Sequence, residues 1–271
     1  MGKIILMTLV IFMAMVGFDH YKNDIPAPTP GQKEQLQIQA KAAKGKVMDL
    51  LPEKNTWPEP LQKFYLAFHM EEVIEPILSR EGYVPLKAMS QAIPQALIAI
   101  EDHDFYNHGA IAPEGIMRAA FVNLTSGQVV QGGSTLTQQL VKNLFLTQEQ
   151  TLSRKVEEAI LSLMLEENYS KDDVLELYLN TAYLGAGAYG VGQASQIYFN
   201  KVPSALTLAE AAVIAALPYA PSALNPLENP QGCKQRQLLV LATMHKRGFI
   251  NQGQYEEALD QTVYLTNGTS L

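Results

Sequence analysis

The sequence predicts a mainly α-helical fold, and three observations carry that expectation. Apolar residues recur at helical spacing through the body of the chain, and runs of strict alternation that would mark strands are hard to find. In addition, Thr147-x-x-Gln150, Ser170-x-x-Asp173 and Thr207-x-x-Glu210 each fit or approximate a capping box, in which two side chains satisfy backbone N–H groups at a helix start.

Lys3 precedes an apolar run from Ile4 to Phe18, broken only by Thr8 and Gly17. As a helix it spans roughly 22 Å at about 1.5 Å per residue. That is short of the ~30 Å of a bilayer core, and Ala14-Met15-Val16-Gly17 offers no good cleavage pair. Residues 1–20 therefore read as a single-pass N-terminal anchor with Lys3 on the cytoplasmic side and the remainder exported. From 21 to 60 the periodicity fades among Pro26, Pro28, Pro30, Pro52, Pro58 and Pro60, so this stretch reads as a linker. Residues 61–265 are the expected folded domain. Within it, Gln62 to Leu78 and Ile93 to Ile100 are expected helices, Pro218 and Pro221 stop the helix that opens at Thr207, and Gln235 to Lys246 ends near Gly248.

With 271 residues and 47% hydrophobic content, the chain can bury one sizeable core. A formal charge of −7 argues against nucleic acid as a partner, so any bound anion must be held by local cations. Cys233 is the only cysteine, which excludes an intrachain disulfide.

Two stretches are poor core material and so point to a site. Gln131 to Asn143 reads Q-G-G-S-T-L-T-Q-Q-L-V-K-N, and Glu101 to His108 reads E-D-H-D-F-Y-N-H. Glu101 closes an apolar run with Leu97 one turn before it, which puts a carboxylate at the edge of a core. Desolvation there raises a carboxyl pKa toward the range of a general base. A surface helix-end glutamate is the plainer reading, and the cluster of Asp102, His103, Asp104 and His108 weighs against it. Arg154, Lys155 and Glu158 share one helical stripe with Leu161 and Leu165, and the opposite stripe of Leu152, Val156, Ile160 and Leu163 is apolar too. That pattern predicts a largely enclosed helix whose charged end meets partners or a ligand. Arg154 with Glu158 also fits a simple helix ion pair, worth about 0.3–0.5 kcal/mol.

Four ordered motifs carry a resemblance: Glu101-Asp102-x-x-Phe105-x-x-His108, Gly133-Ser134-Thr135-x-Thr137-Gln138-Gln139, Arg154-Lys155-x-x-Glu158, and Lys171-x-x-Val-Leu-Glu176-x-Tyr178-Leu179-Asn180. Together they resemble the family 51 glycosyltransferases, the peptidoglycan glycosyltransferases, over about Tyr83 to Ile250. The resemblance implies a lysozyme-like helical domain with a small membrane-proximal lobe. It also implies polymerisation of lipid II into β-1,4-linked glycan strands, by inverting transfer from an undecaprenyl-pyrophosphate donor. Glu101 matches the family's general base. Glu158 matches the second glutamate, on the pyrophosphate side, with a Mg or Mn ion as an implied cofactor and no organic one.

The same resemblance assigns substrate contacts to Asp102, Phe105, His108, Arg118, Ser134, Thr135, Thr137, Gln138, Gln139, Lys142, Arg154 and Lys155. It further implies the outer face of the inner membrane as the location, the growing lipid-linked chain as a second substrate, and cell-wall synthesis or division proteins as partners. Ser-x-x-Lys and Lys-Thr-Gly are absent, so the monofunctional transglycosylases are the expected subgroup.

The first motif departs from the usual pattern at Ala110, where glycine is usual, with Gly109 one place early, and at Ala112, where aspartate is usual. A non-catalytic cell-wall scaffold and a lysozyme-like glycan-cleaving enzyme are the alternative readings. Gly185-Ala-Gly187-Ala-Tyr-Gly190 satisfies G-x-G-x-x-G but follows a helical run, so it reads as a turn between helices and not a dinucleotide loop. His103 and His108 lack a third ligand at zinc spacing, and Tyr178, Tyr183, Tyr189 and Tyr198 read as packing residues.

Overall fold

The computed structural model describes residues 65–66, 68–113, 133–146 and 151–271, with Leu152 described for its backbone alone. The anchor over 1–20, the linker over 21–60, Arg118 and the Thr147–Gln150 pair lie outside the described residues. Among the described residues there are nine α-helices and no strand; the only β pairings are the isolated bridges Tyr183↔Tyr189 and Tyr264↔Ser270. None of these helices is long and apolar enough to cross a membrane.

The helices are α1 (Glu71–Leu78), α2 (Ala92–Glu101), α3 (Leu136–Phe145), α4 (Leu152–Asn168), α5 (Lys171–Thr181), α6 (Val191–Phe199), α7 (Leu208–Ala216), α8 (Pro230–Lys246) and α9 (Gln252–Asp260). α7 organises one half of the core. Ala209 through Ala216 are all buried, and its many alanines let α2 and α8 pack closely against it. A helix apolar all round is stable only when enclosed, which fixes α7 at the centre. α3 forms a second group with α4 and α5. Glu101 ends α2 in the first group, so the site lies where the two groups meet.

Local chemistry explains most boundaries. Ser170 with Asp173 and Thr207 with Glu210 form the expected capping boxes of α5 and α7. Thr135 with Gln138 and Asn251 with Gln254 cap α3 and α9 in the same way. Thr151 caps α4, its hydroxyl accepting the Arg154 N–H. α8 starts five residues before Gln235, because Asn229 caps it through the Gly232 N–H and Pro230 occupies the first turn, where a missing N–H costs nothing. The expected helix from Gln62 to Leu78 is broken at His69 and Met70 ahead of α1.

Two further expectations change. Val156, Ile160 and Leu163 are more than half exposed, so the second stripe of α4 faces outward and the helix is not enclosed. The stripe is apolar all the same, since helical spacing gives a direction without saying what packs there. Tyr178 and Tyr198 are buried as expected, whereas Tyr189 is half exposed. The glycine-rich segment is a turn between α5 and α6. Gly190 has φ +83°, and a Cβ there would stand 2.5 Å from the Asn180 carbonyl oxygen, so only glycine fits.

Candidate active site

α2 delivers Glu101 to the junction as its last residue. Its carboxylate accepts a hydrogen bond from Gln139 Nε2 at 3.0 Å, and Tyr178 Oη donates to Gln139 Oε1 at 2.9 Å. This order follows from chemistry: an ionised carboxylate only accepts, so the Gln139 amide must turn its NH2 toward Glu101 and its oxygen toward the tyrosine. Burial pushes the Glu101 carboxyl above its ordinary value. The Gln139 hydrogen bond and the charges of Arg236 and Lys142 pull part of that shift back, while Asp102 adds to it. Burial, joined by the Glu101 charge, also holds the Tyr178 phenol protonated, well above its usual range.

The neighbouring carboxylate does something else. Asp102 Oδ1 is 2.6 Å from His108 Nε2, and its Oδ2 accepts the Leu136 N–H at 2.9 Å. It therefore clamps the loop after Glu101 to the start of α3. Phe105 is fully buried, with the Lys171 ammonium 4.5 Å from its ring centre, so it anchors that loop in the core. Ala110 is buried too, and its carbonyl accepts the Thr135 hydroxyl at 2.7 Å, while a Cβ at Gly109 would meet open space. The departure at Ala110 is thus a packed methyl group on a backbone position the site depends on.

The second cluster lies at the start of α4. Glu158 is 2% exposed; Lys155 bonds one of its oxygens, and Arg154 Nη1 lies 3.4 Å from the other. The arginine makes a charge contact there without hydrogen-bond geometry, so its Nε and Nη1 are buried and unpartnered among the described residues. A buried guanidinium with idle donors is costly unless a ligand completes it. Lys155 Nζ also contacts Ser134 Oγ at 3.0 Å.

One short segment joins the two clusters. Ser134 touches Lys155, Gln139 touches Glu101, and Lys142 lies in the last turn of α3, its charge acting on Glu101. The rest of the block faces inward: Thr135 and Gln138 cap α3, and Thr137 donates to Glu166, which also pairs with Lys171 at 2.8 Å. The inward-facing hydroxyls and amides shape the segment, and Ser134, Gln139 and Lys142 present it to the site.

Sequence reasoning missed Arg236. It sits on α8, its charge acts on Glu101, and its guanidinium stacks 4.1 Å from the centre of the exposed Tyr219 ring. No local signal marks it, since 135 positions separate it from Glu101; only the packing of α8 against α2 brings them together.

The described residues do not by themselves make a Mg or Mn site. Both Glu158 oxygens already oppose cations, and no group of three or more His, Cys, Asp or Glu able to hold a metal occurs among the described residues.

Known proteins are similar to this chain over the same residues. The Transglycosylase family model matches residues 71–245. Penicillin-binding protein 1A of Aquifex aeolicus is 48% identical over 184 residues, covering 68% of this chain and 25% of that protein. A transglycosylase-type protein of Cupriavidus necator is 45% identical over 183 residues, covering 68% of this chain and 79% of its own length. The chain thus spans about a quarter of the length of the penicillin-binding proteins it matches. The crystal structure of penicillin-binding protein 1A from Haemophilus influenzae superposes with a TM-score of 0.42 and 26% identity over 68% of this chain and 18% of that one, too loosely to bear on the helix arrangement. The match over 71–245 makes this chain a member of the transglycosylase family, glycosyltransferase family 51.

Proposed function

We propose that the chain is a peptidoglycan glycosyltransferase that polymerises lipid II. The observation that carries this reading is the segment 134–142, which ties a desolvated carboxylate at one end to a cation cluster with idle arginine donors at the other. Glu101 takes the proton from the 4-hydroxyl of the acceptor sugar as that oxygen attacks the anomeric carbon of the donor chain. The bond from that carbon to the pyrophosphate oxygen breaks, and the diphosphate leaves with the electron pair. Attack opposite an α-linked leaving group gives the β-1,4 product.

A base of this kind works best when its pKa approaches the working pH, and burial moves Glu101 in that direction. On the other side, Arg154 and Lys155 meet the charge that develops on the leaving oxygen, in a site oriented before the reaction begins. Glu158 keeps both cations in place between turnovers.

In this reading Ile4–Phe18 anchors the chain in the inner membrane, with the catalytic domain on the outer side, and a small lobe rests against the bilayer. The exposed apolar stripe Val156, Ile160 and Leu163 supports that lobe, because it lies on the helix that carries the pyrophosphate cluster. The test is incubation of the detergent-solubilised full chain with labelled lipid II. The reading requires glycan polymer from the native chain and none from Glu101→Gln. Cleavage of preformed glycan, or no product from the native chain, would refute it.

A further inference from the structure

A groove of about 540 Å3 runs along the face of α2 that carries Gln91, Pro94, Gln95 and Ile98, beside the loop that follows Glu101. That volume is within the roughly 300–1,000 Å3 of small-molecule sites. One wall is the single turn Leu86–Ala88, which contributes Lys87; another is the loop after Glu101, which contributes Tyr106 and Asn107. Tyr106 Oη donates to Asp172 Oδ1 at 2.8 Å, so that end of the groove is set by a bond between the loop and α5.

The lining is chemically mixed in an informative way. Lys87, Gln91, Gln95 and Asn107 have no side-chain partner among the described residues, although all four line one groove. Three of them are amides, each able to donate and accept, which suits the alternating N–H and C=O groups of a peptide. Lys87 adds one exposed ammonium, a match for a free carboxylate. Pro94, Ile98 and Phe249 give the groove an apolar side fit for methyl-sized side chains. A diphosphate would face a single lysine, a His103 ring already paired with Asp104, and the carboxylate of Asp172. A neutral glycan would leave the lysine with nothing to bind.

We propose that this groove is a subsite for the peptide stem of the substrate, a short peptide bearing a free carboxylate, with Lys87 taking the carboxylate and Gln91, Gln95 and Asn107 reading the backbone. The inference rests on the lipid II reading, since lipid II carries such a peptide on the sugar next to its reacting bond. The loop lining the groove leaves Glu101 directly, so a sugar held at that base places its peptide within reach.

Two measurements on the full-length protein test it. In the first, soluble muramyl pentapeptide, lacking lipid and pyrophosphate, is titrated by NMR against the native chain, Lys87→Glu, and the Gln91→Ala/Gln95→Ala double variant, with a peptide-free chitooligosaccharide as comparator. The expected result is binding of the pentapeptide that weakens at least fivefold in both variants, with little binding of the oligosaccharide. Equal binding of the oligosaccharide, no binding of the pentapeptide, or variants that bind it like the native chain would overturn the proposal.

The second measurement compares polymerisation of lipid II with that of the same lipid-linked disaccharide stripped of its peptide. The native chain is expected to show a lower KM for the peptide-bearing substrate at similar kcat, and Lys87→Glu to lose that preference. No preference in the native chain would also overturn the subsite. A native chain that polymerises neither substrate yet binds the pentapeptide refutes the lipid II reading by itself, so the two failures are distinguishable.

Discussion

Glu101 and Glu158 are both withdrawn from water, yet they are compensated in opposite ways. Glu158 meets its charge directly, with Lys155 on one oxygen and Arg154 beside the other. Glu101 has a single neutral amide at 3.0 Å, and its cations, Lys142 and Arg236, act on it without a direct contact. Contact with two cations makes a carboxylate a fixed counter-charge, whereas burial without contact makes it hungry for a proton. Two residues of one type thus acquire different chemistry from their neighbours alone, and each prediction below tests one side of that contrast.

Replacing Glu101 has the largest expected effect. Glu101→Gln keeps shape and hydrogen bonding but cannot accept a proton, so polymerisation should fall by about 10²- to 10⁴-fold. Stability should move the other way. Burial raises the folded-state pKa of Glu101 above the ordinary carboxyl value of 4.5, so this group favours the folded state only while protonated. That contribution is complete below about 4.5 and is lost as pH rises through the folded pKa. Relative to the native chain, the Tm of Glu101→Gln should therefore rise at pH 8 and change little at pH 4. A Tm that falls equally at both pH values would show that the carboxylate is compensated in place, as Glu158 is.

For Glu158→Gln the sign should reverse. Removing one member of a buried pair costs about 3–5 kcal/mol when both charges are enclosed. Lys155 is 46% exposed and water can serve it, whereas Arg154 at 14% exposure keeps an unpaired charge. A loss of about 2 kcal/mol is expected, read as a lower Tm near neutral pH. An unchanged Tm would mean that neither cation depends on Glu158, and the contrast would collapse.

The contrast was half legible in the sequence. Both glutamates stood out because each combines a carboxylate with helical spacing to apolar residues, which is local information. The same holds for the caps at Ser170 and Thr207, where partners lie three residues apart. Arg236 and the tie from Gln139 to Tyr178 were not legible, because they join α2, α3, α5 and α8 across long stretches of chain. The outward stripe of α4 failed for a related reason: an apolar face shows that a helix has something to cover, and only tertiary packing shows whether anything covers it. Within Ser134 to Gln139 the composition marked an unusual segment, but the directions of its side chains were not readable, since Thr135, Thr137 and Gln138 make their hydrogen bonds within the fold.

The tie to Tyr178 gives a smaller effect that isolates the tuning of Glu101. Gln139→Leu removes the donor that favours the ionised carboxylate, so the pKa should rise further and the acid limb of the kcat/KM profile should move to higher pH. A hydrogen bond to a charged group is worth about 1.5–3 kcal/mol, so the rate near the limb should fall about tenfold or more and recover as pH rises. Tyr178→Phe should shift the same limb less, since it loses only the bond that orients the amide. A uniform loss at every pH would make Gln139 a substrate contact instead.

Thr135→Val should have the smallest effect, and it tests the bridge between the two carboxylates. Thr135 is buried at the N-terminus of α3, where its hydroxyl accepts the Gln138 N–H and donates to the Ala110 carbonyl. Valine fills the same space without either bond. A lost N-cap costs about 1 kcal/mol, measured as a modest drop in Tm. The informative quantity is how activity responds. Ser134 and Gln139 flank this cap and touch opposite clusters, so a loosened turn should move both, lowering kcat while leaving the acid limb near its native position. If the limb shifts as it does in Gln139→Leu, the cap serves Glu101 alone, and the two clusters are set independently of the segment between them.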